Sequence, residues 1–258
     1  MKFIITFSIL VLSVLITLTT AAKPPSKAPP QKKQDCNTFK KPMTVDQKKL
    51  IISLHNEIRN KIALKSDKNA KLPFASNMIQ MYWSEELALK AQDHANKCTK
   101  NYSDQKFRTN PKFISGENVF FVETKGGQPQ PDWNKAVTHW ANFGKAAPPS
   151  RIEKFNYAGY NISPFTQIIW AKSYLVGCGF SVSKTDQGDL SLYVCHYGPT
   201  GNIAGQPVYQ ASNQKSCNCL KGLSCGNPKW PGLCCPDGFC KDQNYTYPNG
   251  NMIPGTIR

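Results

Sequence analysis

Six of the ten cysteines fall within 24 residues, CNCLKGLSCGNPKWPGLCCPDGFC (217–240), and this run constrains the fold more than any other feature of the chain. A segment so short buries little apolar surface, so covalent bridges must hold it together. Cys217, Cys219, Cys225, Cys234, Cys235 and Cys240 are expected to form three disulfides, with all fifteen connectivities open. Zinc ligation by Cys217-Asn218-Cys219 and Cys234-Cys235 is the competing reading, disfavoured by export and by the adjacent cysteine pair. Export is read from residues 1–22, MKFIITFSILVLSVLITLTTAA, where one early lysine, an apolar run and closing small residues have the pattern of a cleaved secretory signal. No later apolar run is long enough to span a bilayer.

About 236 residues remain after the leader, enough for one domain with a full core and a small appendage. Residues 23–35, KPPSKAPPQKKQD, are Pro- and Lys-rich and are expected to form a flexible arm. The main domain is assigned to 36–210, and a Cys-rich extension to 211–258 with its stapled module at 217–240. The chain carries 32 Lys+Arg against 16 Asp+Glu, and loss of Lys2 with the leader lowers its charge from +16 to +15. Such a field attracts polyanions such as sulfated glycosaminoglycans, although a merely solvated cationic surface fits the scattered lysines equally well. Nucleic acid is the weakest partner class, because the chain is exported and carries no recognised nucleic-acid-binding motif.

Thr44-Val45-Asp46-Gln47 reads as a capping box, and Ile51, Leu54, Ile58 and Ile62 recur at helical spacing after it. His55 in this helix is expected to be packed and hydrogen-bonded rather than a ligand. Ser84 reads as the N-cap of a second helix with Leu87, Ala91, Ala95 and Cys98 on one face. A third helix is expected over Asp132–Phe143 with Val137 and Trp140 buried. Strands are expected at Asn118–Val122, Gln167–Ala171, Leu175–Val182 and Leu190–Tyr197, the last two joined by the turn Asp186-Gln187-Gly188-Asp189. Helices and strands without regular βαβ alternation imply an α+β domain.

FTQIIWAKSYLVGCG (165–179) and YVCHYGPTGN (193–202) resemble the paired signatures of the CAP superfamily of cysteine-rich secretory, antigen 5 and pathogenesis-related proteins. LHNEIR (54–59), AQDHANKC (91–98) and Gly116-Glu117-Asn118 match further landmarks in the same order, with the closest flavour that of arthropod venom or salivary antigen 5. The resemblance implies a three-layer α–β–α sandwich with a large cleft, and disulfides Cys36–Cys98 and Cys178–Cys195. The second pair also sits on the two arms of the expected hairpin. The first would close a long loop worth about 4–5 kcal/mol.

In many members the cleft holds two His and two Glu, and the histidines can take a divalent metal. Here the first His position, four residues after Cys98, is Tyr102; the second Glu position, three after Trp140, is Phe143; and the last His position, before Phe165-Thr166-Gln167, is Pro164. Glu117 alone remains, and its expected role is hydrogen bonding within the fold. One carboxylate cannot chelate zinc or act as acid and base together, so no catalytic residues, no metal and no cofactor are assigned. His55, His94, His139 and His196 show no ligand spacing, and no Ser nucleophile elbow is present. Sequons lie at Asn101, Asn161 and Asn244, with Pro164 after Ser163 disfavouring use of Asn161; a glycan on Asn101 would partly shield the old cleft.

The leading expectation is therefore a secreted, non-enzymatic binding protein acting on a host or prey protein, or on a small hydrophobic molecule such as a lipid. The alternative is an ion-channel-directed toxin whose tail presents Lys221, Lys229, Trp230 and Phe239 as a cationic-aromatic face. A metal-dependent hydrolase ranks third.

Overall fold

In the computed structural model, which describes residues 41–65, 71–126, 129–159, 161–237 and 240, the expected capping box closes at Thr44. Its Oγ1 accepts from the Gln47 N–H at 3.2 Å, and Gln47 Oε1 accepts from the Thr44 N–H at 2.9 Å. Helix α1 (Val45–Leu64) starts there. The inward face is not the aliphatic stripe expected. Leu54, Ile58 and Ile62 are half-buried, whereas Ile51, Ile52, His55, Asn56, Arg59 and Ala63 are buried. Three polar side chains therefore face the core, and each has partners there. Asn56 copies a strand edge: its Nδ2 donates to Met81 O at 2.9 Å and its Oδ1 accepts from the Met81 N–H at 2.7 Å.

Strands β1 (Phe74–Ala75) and β2 (Tyr82–Trp83) precede helix α2 (Glu85–Ala95), which Ser84 caps through the Leu87 N–H. The short helix α3 (Gln105–Arg108) leads into strand β3 (Gly116–Thr124), followed by helix α4 (Trp133–Asn142), N-capped by Asp132. Helices α5 (Pro149–Glu153) and α6 (Ser163–Ile168) come next, then the long hairpin β4 (Leu175–Thr185) and β5 (Gly188–Gly198). Two-residue strands β6 (Ala211–Ser212), β7 (Leu223–Ser224) and β8 (Cys235–Pro236) complete the order.

The central sheet runs β2-β4-β5-β3, with β2 parallel to β4 and the other pairs antiparallel. Helix α2 covers β4 and β5, while α1, α4 and α6 pack together on β2 and β3, giving the expected three layers. Cys178 faces Cys195 across the hairpin, and the two are bonded. Cys98 is buried without a disulfide partner among the described residues; its expected partner Cys36 lies outside them.

Gly177 and Gly179 bring α2 close to β4: a Cβ would lie 2.2 Å from Ala88 N at the first and 2.4 Å from Gln92 N at the second. Because the obstacle is helix backbone, Gly179→Ala is expected to cost at least about 2 kcal/mol and to lower Tm by roughly 4–8 °C. A thermal melt within one degree (~0.3 kcal/mol) of wild type would refute this close approach.

Two sequence expectations need correction. Gln167–Ala171 is not a strand: Ser163–Ile168 is helical, with Pro164 in the first turn, and the chain then turns at Ile169–Ser173. Pro suits the start of a helix, where its missing N–H is not needed. The Cys-rich segment is also not set apart from the core. Trp230 is 6% exposed and belongs to the main hydrophobic cluster, and Gly232 N donates to Asn60 Oδ1 at 2.8 Å. Cys234 exchanges backbone hydrogen bonds with Met78 and Gln80. The bridges are Cys217–Cys225, Cys219–Cys234 and Cys235–Cys240.

Candidate functional site

Strand β3 opens with Gly116-Glu117-Asn118, and its register sets Glu117 opposite His196 on β5. Helix α2, laid close on β4, brings His94 to the same carboxylate. His94 Nδ1 and His196 Nε2 each lie 2.8 Å from Glu117 Oε1. Ser103 Oγ donates to that oxygen at 2.7 Å, and the Ser103 N–H donates to Oε2 at 2.7 Å. The three side chains His94, Glu117 and His196 are at most 2% exposed.

Burial by itself would raise the Glu117 pKa, but the hydrogen bonds from His196, His94 and Ser103 hold it well below the usual carboxylate range. Burial lowers the His196 pKa, while Glu117 opposes that shift. Because a carboxylate oxygen only accepts, each ring carries a proton on the nitrogen that faces Glu117. The other nitrogen of His94 lies 3.4 Å from Thr99 Oγ1, and that of His196 has no hydrogen-bond partner among the described residues.

The histidines dismissed for lack of ligand spacing thus divide into two kinds. His94 and His196 meet at Glu117, whereas His55 is packed as expected and His139 stacks among Phe120 and Phe143. No sequence spacing marks the first pair, because helix packing supplies one member and strand register the other.

The three positions expected to have lost their cleft residues differ in burial and surroundings. Tyr102 is 57% exposed and, with Glu117, Tyr157 and Asn202, lines a cleft of about 290 Å³. Pro164 is buried, and its carbonyl accepts from Asn118 Nδ2 at 2.9 Å. Phe143 is half-buried against the core. Imidazole or carboxylate is absent from all three positions, so the residues present do not fit the metal set that the resemblance implies for this cleft. Thr166 and Gln167 serve as scaffold: Thr166 Oγ1 donates to Asn202 Oδ1 at 2.6 Å, and Gln167 Oε1 accepts from the Gly201 N–H at 3.1 Å.

Asn101 and Asn161 are exposed, and Asn161 lines the cleft beside Tyr102; Asn244 lies outside the described residues. In the tail, Lys221 and Lys229 are exposed, Trp230 is buried and therefore cannot serve as an exposed contact, and Phe239 lies outside the described residues.

A second and larger cavity, of about 730 Å³, was not anticipated from the sequence. Its walls include Ile114, Trp170, Ile203, Val208 and Tyr209, with Asn77, Gln206 and Gln210 among the polar groups. Ile114 and Ile203 are 37% and 42% exposed. The GNIAGQPVYQ stretch (201–210) carried the signal as an apolar loop, but only its return beside Trp170 makes a cavity.

A sequence model described as "CAP: Cysteine-rich secretory protein family" matches residues 52–197. Venom allergen 5 of the scorpion Tityus serrulatus is 34% identical over 76% of this chain and 47% of its own length. Scoloptoxin SSD976 of the centipede Scolopendra dehaani is 32% identical over 77% of this chain and 89% of its own. The chain spans about half the length of the scorpion relatives it matches. Among solved structures, Na-ASP-1 superposes with a TM-score of 0.60 at 28% identity, covering 81% of this chain and 52% of that one. BmVAL-1 gives 0.61 at 26% identity, covering 74% and 95%. Among the described residues no helix is long and apolar enough to cross a membrane. The matched segment holds the larger part of α1, all of α2, the central sheet as far as Tyr197 and the Glu117 box, and the layered fold agrees with it: the chain belongs to the cysteine-rich secretory protein (CAP) family.

Proposed function

We propose that the protein is a secreted, non-enzymatic CAP protein of the venom or salivary type that carries a small hydrophobic ligand of lipid class. The observation that carries this reading is the cavity of about 730 Å³ walled by Trp170, Val208, Tyr209 and the partly exposed Ile114 and Ile203. Its size suits a small-molecule site, and a few polar groups among apolar walls favour an amphipathic guest. The cleft supports the non-enzymatic half. Glu117 is permanently ionised and committed to its neighbours, and Tyr102, Pro164 and Phe143 supply no second acid or base there. Burial of Trp230 leaves the channel-directed reading without its aromatic centre.

Displacement of a fluorescent fatty-acid analogue from delipidated protein tests the proposal. Saturable binding is expected, weakened about tenfold or more by Ile203→Glu, since a carboxylate set against an apolar guest must lose water without gaining a partner. Unchanged affinity in a folded Ile203→Glu protein would sink the assignment to this cavity.

A further inference from the structure

We propose that His94, Glu117 and His196 form a divalent-cation site of the zinc class, set behind the cleft wall and built from histidines other than those the family's cleft pattern uses. The ligand atoms, one per residue, all lie within 4.8 Å of one another. Two neutral imidazoles and a carboxylate are a zinc ligand set. Metal–ligand bonds of about 2.0–2.2 Å in a tetrahedron separate ligand atoms by about 3.3 Å. The two 2.8 Å contacts at Glu117 Oε1 therefore need to open by about half an ångström, and the two imidazole nitrogens, within 4.8 Å of each other, to settle at a similar spacing, to admit an ion.

Each ligand is positioned independently of any ion. The β3–β5 register places Glu117 against His196, and the close packing of α2 on β4 places His94. The Ser103 N–H holds Glu117 Oε2 at 2.7 Å, so that Oε1 faces both rings. Loading requires the proton of each ring to move to its far nitrogen. On His94 that proton then faces Thr99 Oγ1, 3.4 Å away, which is the outer partner a metal-bound imidazole normally has. On His196 the far nitrogen has no partner among the described residues, so the switch leaves a buried N–H unpaired, a cost that the metal bonds must exceed. The fourth ligand is left to Ser103 Oγ or to water reaching Glu117 from the cleft that it lines. The other close group, Cys217, Cys219 and Cys225, is consumed by disulfides to Cys225, Cys234 and Cys217, so it does not compete.

The test is zinc uptake by the chelator-treated full chain, read by titration calorimetry and by metal content after gel filtration. One equivalent is expected, with affinity reduced at least a hundredfold in His94→Gln and His196→Asn and unchanged in His139→Ala, which alters a histidine outside the cluster. Co²⁺ substitution is expected to give d–d bands of tetrahedral intensity. Absence of uptake by folded wild-type protein, uptake that both variants retain, or uptake lost in His139→Ala overturns the site. Should both ligand variants fail to fold, the wild-type Co²⁺ spectrum decides: tetrahedral bands support the site, and an octahedral, aquo-like spectrum overturns it.

Discussion

Replacing Arg59 by Met is expected to destabilise the protein by about 4 kcal/mol or more, enough to unfold a domain of ordinary stability under mild denaturant. The guanidinium is fully buried, and burial pulls its pKa down to about 9, so it stays charged at neutral pH. Its Nε donates to Ile79 O at 2.8 Å; Nη1 donates to Ile168 O and Trp170 O at 2.8 and 2.9 Å; Nη2 donates to Ile79 O and to Ala171 O, the latter at 3.0 Å. One side chain thereby satisfies four carbonyls on two segments distant in sequence. Methionine fills much of the volume but leaves the buried Ile79 and Ile168 carbonyls without this donor, at about 1–3 kcal/mol each before any water enters, while Trp170 O and Ala171 O keep the Ser173 and Ile79 N–H groups. Arg59→Lys should lie between the two, because one ammonium lacks the planar fork needed to reach every carbonyl. Urea unfolding of the three proteins measures the order. A methionine variant within 1 kcal/mol (~fivefold in the folding constant) of wild type would show that the carbonyl cluster does not depend on this cation.

The second large effect concerns pH. His55 is fully buried, and desolvation lowers its pKa from 6.5 to about 4, although the Ile51 carbonyl opposes the shift and the Arg59 charge adds to it. Its Nδ1 donates to Ile51 O at 2.7 Å, and its Nε2 accepts from the Tyr197 hydroxyl at 3.0 Å. Tyr197 in turn accepts from Asn118 Nδ2 at 3.2 Å, and burial pushes its phenol above the ordinary range, so it stays a donor. The folded protein needs neutral imidazole here. Between pH about 4 and 6.5 the unfolded chain binds the extra proton, so stability is full above about 6.5 and falls as pH drops toward about 4. The loss is about 3 kcal/mol across that window. His55→Phe should be less stable at neutral pH, where it forfeits two hydrogen bonds, yet show a flatter decline into acid. An equal slope in both proteins would remove His55 as the cause.

Much of the backbone was legible from local chemistry. The Thr44 box, the Ser84 cap and the Asp186-Gln187 turn all sit where their side chains or backbone require, and the hairpin places Cys178 against Cys195. Reading failed where nonlocal partners outweigh pattern. Ile168, Ile169, Trp170 and Ala171 look like a buried strand because all are apolar, but the stretch is the end of a helix and a turn, and the carbonyls of Ile168, Trp170 and Ala171 converge on Arg59. On α1 most of the aliphatic period lies at the edge of the inward face, with Leu54, Ile58 and Ile62 only half-buried against the core, because buried His55, Asn56 and Arg59 take its centre and find fixed partners on other elements. Trp230 looked free to meet a target, but it is needed to cover the main core.

The sequence by itself determined the family, the Thr44 and Ser84 caps, the hairpin, and that neither imidazole nor carboxylate stands at Tyr102, Phe143 or Pro164, since each is a matter of residue type at a local position. Only the tertiary structure decided that His94 and His196 converge on Glu117 and that residues 199–211 close an apolar cavity beside Trp170. Those outcomes depend on helix packing distance, strand register and loop return, which join residues whose chemistry carries no mark of one another along the chain.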